Sequence, residues 1–479
     1  MSFPDINPSK KKYLFIISFL LGSSLSLSFE PFTIPFSALI IIGIFFSLND
    51  YVFKNFTCVG SIFFVNGILF GLGFFMSSMY WVSNSILEFD YNLRYLIPIP
   101  LIILPLFLSL FIGLMQIINS YLWSTSNSRL FFFTSTWIIF ELLRSNLFTG
   151  LPWNLIGYSW SWSLNYSQAI SIFGVYGLGL ITVFCAGSIF LFLNNMSEKK
   201  YIIIPSIILI IINLYGYIRV NNYEEVYLDK TIRIIHTHYD QDKKWLKESI
   251  DKIAELGSPD LVTVFPESSL GLNANIPNNW ISGFIRKHEN NYFNSLKYNG
   301  YIYDKKILVP FGEYFPFSNV FVKYFPNNPL VQSSLSKGNN EQKFTSNITP
   351  LICYEVIFPS FVRSGVSKET DLLVNISNDA WFGKFSGPKQ HFVQAWFRSV
   401  ELGIPMARSS NKGYSALINP IGKIISKTSL DKNMYIDVEI PQKLENTFYR
   451  KYGDSLTYFL IVLFFIIGYA IRVSKEKTV

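Results

Sequence analysis

The stretch ITPLICYE, residues 348–355, joins a short apolar run to three side chains that can do chemistry. A bounded apolar run of this length is typical of a strand buried in the middle of a sheet. Cys353, Tyr354 and Glu355 follow it directly. Polar groups at strand ends, between core and loops, are where sites gather on layered folds. The stretch therefore predicts a layered domain with a site at Cys353.

Similar short runs recur between residues 221 and 452. The predicted strands are TIRIIHTH (231–238), LVTVFPE (261–267), KKILVPFG (305–312), LLVNISND (372–379), SALINPIG (415–422) and MYIDVEI (434–440). Helical periodicity marks QDKKWLKESIDKIAEL (241–256) and KQHFVQAWFRSVELG (389–403), the second ended by Gly403 and Pro405. We therefore predict an α/β or α+β domain at 221–452, large enough for its own core.

The rest of the chain is too apolar for a soluble protein. Of its 479 residues, 50% are hydrophobic and 18% aromatic. A bilayer-spanning helix needs about 20 apolar residues. Eight segments approach that length: 13–28, 35–48, 59–82, 95–118, 130–147, 169–193, 201–218 and 456–471. We predict a polytopic α-helical membrane bundle, with seven spans in residues 1–220 and the eighth in 453–479, where a cytoplasmic tail follows it.

Charge placement predicts which side the domain occupies. Basic residues flank alternate span ends: Lys10, Lys11, Lys12, Lys54, Arg129, Lys199, Lys200, Arg472, Lys475 and Lys477. The positive-inside rule puts all of these ends in the cytoplasm, so residues 221–452 are expected outside it. Arg144 lies on the outer side and does not follow this rule. The net charge of +8 is thereby explained by orientation in the membrane, and no basic stripe indicates nucleic-acid binding.

Three predicted strands present a reactive side chain at or near an end. Glu267 follows one, Lys305 begins another and Cys353 follows a third. A carboxylate can take the proton of a thiol, the thiolate can attack a carbonyl, and an ammonium can stabilise both the thiolate and the oxyanion that forms. With only three cysteines, two of them in apolar segments, we expect no disulfide framework and a free thiol at Cys353.

These residues carry a family resemblance. The segments FPES, YDKKILVPFGEYFP, ICYEVIFP and NISNDAWFGKFSGPKQH resemble the nitrilase superfamily. Together with ELLRSN, TGLPWNLIGYS, ELGIPMARSSNKGYSA and TFYRKYGD, in order along nearly the whole chain, they resemble the bacterial apolipoprotein N-acyltransferase family. One departure is HTHYDQDKKW (236–245), where the family usually has a Gln and an Asn.

The resemblance implies a nitrilase-like α-β-β-α sandwich outside the membrane. It also implies Glu267 as general base, Lys305 as oxyanion-stabilising cation and Cys353 as nucleophile. The supporting or substrate-binding residues that it implies are Glu313, Tyr354, Glu355, Trp245, placed in the first helix of the domain, and Trp381.

The implied reaction moves an acyl chain from a phospholipid to the N-terminal amine of S-diacylglyceryl-cysteine on an apolipoprotein. It would pass through a thioester on Cys353 in a ping-pong sequence and complete triacylated lipoprotein maturation. We expect a multi-pass protein of the bacterial inner membrane, with its catalytic domain facing the periplasm. We also expect it to act as a monomer without a cofactor.

Other interpretations stay open at this point. The same three residues could serve a membrane-tethered nitrilase-like amidase, and a non-enzymatic scaffold with a degenerate domain is possible on fold alone. A lone buried cysteine is usually inert. His236, His238 and His391 lack a convincing further ligand for zinc. Glu141 and Arg144 are expected to form a structural ion pair inside the bundle.

Overall fold

The chain divides into two compact units. The computed structural model describes residues 8–89, 91–271, 275–316, 334–339, 344 and 347–476. One unit is Met1–Asn222 with Lys451–Val479, and the other is Tyr223–Arg450. The first is helical and the second contains both sheets.

Helices account for most of the first unit. The α-helices among the described residues are α1 (Pro8–Leu25), α2 (Ser37–Asn55), α3 (Val59–Met79), α4 (Asn84–Phe89), α5 (Leu104–Leu122), α6 (Ser128–Asn146), α7 (Leu164–Ser167), α8 (Ile170–Asn194), α9 (Lys200–Asn221), α10 (Lys247–Glu255), α11 (Pro359–Ser364), α12 (Gly387–Leu402), α13 (Phe448–Tyr452) and α14 (Ser455–Glu476). A long helix lies in each of the eight segments predicted to span the membrane.

Six helical segments of the described residues are long and apolar enough to cross a bilayer. The two predicted spans outside this set, α1 and α6, are the more polar ones. Three lysines begin α1, while α6 carries Arg129, Glu141 and Arg144. One charge on α6 is accommodated by an ion pair, because Arg129 lies 2.7 Å from the carboxylate of Asp50 and both residues are buried. The protein is a multi-pass membrane protein.

Glu141 and Arg144 are both buried, as expected, but the predicted ion pair between them was wrong, because the described contacts of their charged groups are not with each other. Both bind the main chain of the loop that follows α6. Glu141 Oε1 accepts from the backbone N–H of Ile156 at 3.0 Å, and Arg144 Nη1 donates to the carbonyl oxygens of Leu151 and Trp153 at 2.7 and 2.9 Å. These two charged residues therefore fix a loop, a structural role.

Two mixed sheets form the second unit. Their strands are β1 (Tyr227–His236), β2 (Val262–Val264), β3 (Trp280–His288), β4 (Asn291–Tyr298), β5 (Tyr301–Asp304), β6 (Ile348–Ile352), β7 (Leu372–Asn378), β8 (Met406–Asn411), β9 (Ala416–Ile418), β10 (Ile424–Lys427) and β11 (Met434–Pro441). The first sheet has the order β11-β1-β2-β3-β4-β5 and the second β10-β9-β8-β7-β6.

The sheets pack face to face around one apolar core. It contains alternate residues of β1, Ile232 and Ile234, together with residues of the second sheet such as Ile352 and Val374. The opposite side of β1 presents Ile235, which packs with Ile253 of α10. Helix α12 contacts the second sheet through β8. This arrangement confirms the predicted class, a membrane bundle with a nitrilase-like sandwich domain.

Two local predictions were wrong. KKILVPFG is not a strand, because beyond Lys305 carboxylates rather than a neighbouring strand take the backbone donors of residues 306, 307 and 309. The N–H groups of Lys306 and Ile307 donate to Glu355, and that of Val309 donates to Glu313. Helix α10 begins at Lys247, so Trp245 lies in the turn before the helix rather than within it.

Candidate active site

Three strand ends bring the predicted reactive side chains together. Glu267 lies three residues after β2, Lys305 directly after β5 and Cys353 directly after β6. Cys353 begins a 3-10 turn, Cys353–Ile357, and has a φ of +49°. Non-glycine residues rarely adopt this left-handed conformation, which occurs at functional sites when the surroundings enforce it. The backbone therefore turns sharply at the thiol.

Lys305 is the centre of a buried charge cluster. Its Nζ lies 2.8 Å from Glu313 Oε1 and 3.4 Å from Glu267 Oε1, and its side chain is 1% exposed. Burial alone lowers the pKa of Lys305, but the Glu313 and Glu267 carboxylates outweigh it and hold that pKa above its usual value. The ammonium is therefore charged whenever the protein is folded at ordinary pH.

Asn294 of β4 joins the two carboxylates. Its Nδ2 donates to Glu267 Oε1 at 2.7 Å and to Glu313 Oε1 at 2.9 Å, while its backbone oxygen accepts from the backbone N–H of Lys305 at 2.8 Å. One amide side chain and one ammonium thus fix both carboxylates in place. Sequence reasoning missed Asn294 because it lies in the middle of a strand that was itself not predicted.

The thiol of Cys353 is a weak acid in this setting. Burial raises the pKa of Cys353, and the Glu267 carboxylate raises it further, while the Lys305 ammonium opposes both. The hydroxyl of Ser377 lies 3.4 Å from the sulfur. The resting group is consequently a neutral thiol, and forming the thiolate requires a base to take the proton.

Glu355 and Tyr354 hold the turn that carries Cys353. Glu355 is fully buried, and its oxygens accept from the hydroxyl of Tyr303 and the N–H groups of Lys306 and Ile352 at 2.9, 2.7 and 2.8 Å. It therefore ties the start of the turn to the segment after Lys305. Tyr354 is also buried and packs its ring 5.1 Å from that of Phe358.

The two predicted tryptophans lie at different depths. Trp245 is 43% exposed, and its ring lies 5.4 Å from the ammonium of Lys244. Lys244 is buried and donates to the backbone oxygen of Glu267 at 2.7 Å. Trp245 is thus linked through Lys244 to the charge cluster around Lys305. Trp381 lies in the 3-10 turn Asp379–Phe382 after β7 and is half-buried.

Sequence reasoning also missed a buried polar group behind Cys353. Asp379 follows β7, His391 lies on α12 and Arg408 lies on β8, and none of the three is exposed. From the sequence alone, the only role weighed for His391 is that of a metal ligand. The sequence does contain one indication of this group. Asp379 follows the apolar strand β7 directly, just as Cys353 follows β6, so it could have been predicted as a site residue by the same argument.

Together, the fold and the cluster define the class of protein. It is a multi-pass membrane enzyme with a carbon-nitrogen hydrolase domain, because the family described as "Carbon-nitrogen hydrolase" matches residues 262–449. The family described as "Apolipoprotein N-acyltransferase N-terminal domain" matches residues 21–188.

Relatives narrow the class to one family. An apolipoprotein N-acyltransferase of Rickettsia bellii is 35% identical over 84% of this chain and 88% of its own. That of Rickettsia typhi is 33% identical over 95% of this chain and 97% of its own. Among solved structures, an amidase of the nitrilase superfamily from Nesterenkonia aligns with 48% of this chain and 95% of its own, at 14% identity and a TM-score of 0.33. The chain belongs to the apolipoprotein N-acyltransferase family, which makes it an acyltransferase.

Proposed function

We propose that this protein transfers an acyl chain from a phospholipid to the N-terminal amine of S-diacylglyceryl-cysteine on an apolipoprotein, through a thioester on Cys353. The single observation that carries the proposal is the buried cluster around Lys305. One ammonium lies within 3.4 Å of two carboxylates, Glu267 and Glu313, and its charge acts on the neighbouring thiol.

In the first half-reaction the thiol becomes acylated. Glu267 takes the proton from Cys353 as the sulfur forms a bond to the ester carbonyl carbon of the phospholipid. The carbonyl oxygen gains a negative charge, which the Lys305 ammonium stabilises. Collapse of this intermediate breaks the ester C–O bond, the lysophospholipid oxygen takes the proton back from Glu267, and a thioester remains on Cys353.

In the second half-reaction the amine of the lipoprotein attacks the thioester. Glu267 now takes a proton from the nitrogen, and Lys305 again stabilises the oxyanion. The C–S bond then breaks to release the N-acylated product, and Glu267 passes its proton to the departing sulfur, which returns Cys353 to its thiol form. Glu313 and Asn294 act by holding Lys305 and Glu267. Because the lysophospholipid leaves a covalent thioester before the amine reacts, the proposal predicts a ping-pong sequence.

Burial of the nucleophile supports transfer rather than hydrolysis. Cys353 is 5% exposed and Lys305 1%, so little water reaches the position of a thioester. Exclusion of water protects reactive intermediates and strengthens the electrostatic stabilisation of the oxyanion. Both substrates carry acyl chains, each buried CH₂ of which contributes about 0.8 kcal/mol to retention in a bilayer. A membrane-bound enzyme therefore need not extract either one.

The charge pattern supports the location that we propose. Lysines and arginines flank alternate ends of the spans, so the unit Tyr223–Arg450 would lie on the periplasmic side of the bacterial inner membrane. The proposed lipoprotein substrates are anchored in the same leaflet. All the proposed catalytic residues come from one unit of one chain, so the working unit that we propose is the monomer.

The proposal can be tested by intact-mass and peptide mass spectrometry of the full chain, purified in detergent and incubated with phosphatidylethanolamine. We expect a long-chain acyl adduct on Cys353, lost on adding a diacylglyceryl-cysteine peptide, which becomes N-acylated. Cys353→Ala should carry no adduct and no transferase activity. Cys58→Ala, which removes an exposed cysteine elsewhere, is the matched control and should behave as the parent.

The outcome also discriminates against the amidase alternative. Transfer that persists in Cys353→Ala would refute the role of the thiol. Hydrolysis of small amides without lipid, together with no adduct from phospholipid, would instead favour a membrane-tethered amidase.

A further inference from the structure

A second buried charge cluster lies directly behind the nucleophile and has no part in the mechanism above. Asp379 is its centre. Its Oδ2 accepts from Arg408 Nη2 at 2.9 Å, and its Oδ1 lies 2.9 Å from His391 Nδ1 and 2.6 Å from the hydroxyl of Ser377. All four side chains have an exposure of 0%. Burying these charges is costly unless they are paired, and the pair of Asp379 with Arg408 meets that condition.

The cluster touches Cys353 at two atoms. His391 Nε2 lies 3.3 Å from the backbone oxygen of Cys353, and the hydroxyl of Ser377 lies 3.4 Å from its sulfur. The histidine ring is thus packed between Asp379 and the main chain of the residue whose φ is +49°. A left-handed residue with a Cβ persists only where its surroundings over-determine it. His391 supplies one such constraint, and Glu355 supplies another on the preceding residue.

Ser377 has one hydroxyl proton but two acceptors within reach. The proton can point to Asp379 Oδ1 at 2.6 Å or to the sulfur of Cys353 at 3.4 Å. While Cys353 is a neutral thiol, the carboxylate is much the better acceptor. Once the sulfur is a thiolate, it becomes a charged acceptor as well. Asp379 keeps its contacts with Arg408 and His391 whichever way the hydroxyl points.

We propose that Ser377, Asp379 and His391 are positioning residues of the nucleophile, and that the Ser377 hydroxyl turns from Asp379 to the sulfur when the thiolate forms. The inference rests on the proposed function of Cys353 as nucleophile. In the step itself the S–H proton moves to Glu267, while the Ser377 O–H bond stays intact and only changes its acceptor. When the thiolate is consumed by acylation, the hydroxyl returns to Asp379.

Two sets of groups around the thiol then have different tasks. Glu267 takes the proton and Lys305 supplies positive charge. Ser377 supplies a hydrogen bond that strengthens only when charge develops on the sulfur. An interaction that is stronger in the charged state than in the resting state accelerates the step, whereas equal binding of both states would not.

The test measures thiolate formation without any lipid. Full-length protein in detergent, carrying Cys58→Ala, is alkylated with iodoacetamide from pH 6 to 10, and modification of Cys353 is followed by peptide mass spectrometry. The groups that face the thiol and can shape this profile are Glu267, Lys305, Asp379, Lys244 and His391. All of them are retained in each Ser377 variant.

We expect Ser377→Ala to slow alkylation at least tenfold at pH 8 and by a similar factor at the other pH values of the series, since below the midpoint of the profile a tenfold loss of thiolate corresponds to an upward shift of about one pH unit. Ser377→Thr keeps the hydroxyl and should restore the profile, whereas Ser377→Val has the shape of threonine without the hydroxyl and should not. The Thr and Val pair keeps the test decisive if the alanine variant folds poorly.

Ser410→Ala is the matched control. Ser410 is the partner of Ser377 on the neighbouring strand, it is equally buried, and its hydroxyl donates to a backbone oxygen. It should leave the alkylation profile unchanged. Superimposable profiles for Ser377→Thr and Ser377→Val would overturn the proposal. A missing acyl adduct in the parent protein would count against the proposed function alone, because alkylation uses no phospholipid.

Discussion

A methyl group at position 283 would meet the segment that carries the proposed base. A Cβ built on Gly283 of β3 lies 2.5 Å from the backbone nitrogen of Ser268, 2.8 Å from Cδ1 of Ile376 and 3.0 Å from Cα of Glu267. Heavy atoms in good contact stand roughly 3.5–4.0 Å apart. Residues 267 and 268 would therefore have to retreat by about 1 Å. Two of the three obstacles are backbone atoms, so no side-chain rotation relieves the clash.

The Ile376 contact is with the core, but the backbone displacement falls on the segment that carries the proposed proton acceptor. Overpacking of this kind costs about 1–3 kcal/mol of stability, which a domain of this size survives. A misplacement of about 1 Å at a reacting group can reduce the rate about 100-fold. We therefore expect Gly283→Ala to insert and fold, to bind its substrates with little change in KM, and to lose about two orders of magnitude in kcat.

The assay is transfer of a labelled acyl chain from phospholipid to a diacylglyceryl-cysteine peptide, with the rate of acyl-enzyme formation measured separately. Gly271→Ala is the matched control, because among the described residues that are not its chain neighbours the nearest atom to a Cβ at 271 is Ile250 Cδ1, at 3.5 Å. A Gly283→Ala enzyme with the kcat of the parent would refute the reasoning. It would mean either that Glu267 is not the base or that its position is not held by this contact.

Two further predictions concern the supports of the site. In Glu355→Gln an amide N–H₂ replaces an oxygen that accepts from backbone donors, so the free energy of unfolding should fall by about 1–3 kcal/mol. Burial raises the pKa of Glu355 to about 7 from 4.5. The stability that the Glu355 carboxyl group contributes is therefore complete below about pH 4.5 and is lost as the pH rises through about 7. The thermal unfolding temperature of the Gln variant should lack this dependence on pH. Burial lowers the pKa of Lys244 to about 8, so acyl transfer should decline as the pH rises through that value and the ammonium at the Glu267 carbonyl loses its charge. Lys244→Met should be slow at every pH and lack this decline; a parental alkaline limb in it would contradict the assignment.

The predictable parts of the molecule were those in which local pattern and environment agree. Long apolar runs must be helical in a bilayer, where every backbone group has to be satisfied within the segment. Strand β6 was likewise readable, since five residues buried on both faces leave an uninterrupted apolar run. Gly403 ends α12 with a φ of +64°, as glycine at that position indicates.

The missed hairpin shows where pattern reasoning failed. Strands β4 and β5 flank Asn299 and Gly300, whose φ values of +47° and +78° are those of a two-residue hairpin turn. The Asn-Gly pair is a strong signal for such a turn, but the strands around it are rich in polar residues. Asn294 and Lys305 both depend on this hairpin for their positions. No reading of KKILVPFG alone could have shown that carboxylates, rather than a strand, bind the backbone N–H groups of residues 306, 307 and 309.

A neighbouring carboxylate makes a thiol harder to ionise, and the pairing of opposite charges around Cys353 explains how this thiol can still act as the proposed nucleophile. The Lys305 ammonium stabilises negative charge on its neighbours, so it favours the thiolate that forms when the proton leaves the sulfur. Moving the proton from sulfur to Glu267 leaves the total charge of the cluster unchanged and shifts one negative charge from oxygen to sulfur. Burial makes that shift unfavourable in the resting site, because the thiolate has few donors. An arriving carbonyl changes the balance, since the charge can pass through sulfur to an oxygen that Lys305 can reach. By this reasoning the proposed site forms the thiolate more readily with a bound acyl donor than without one.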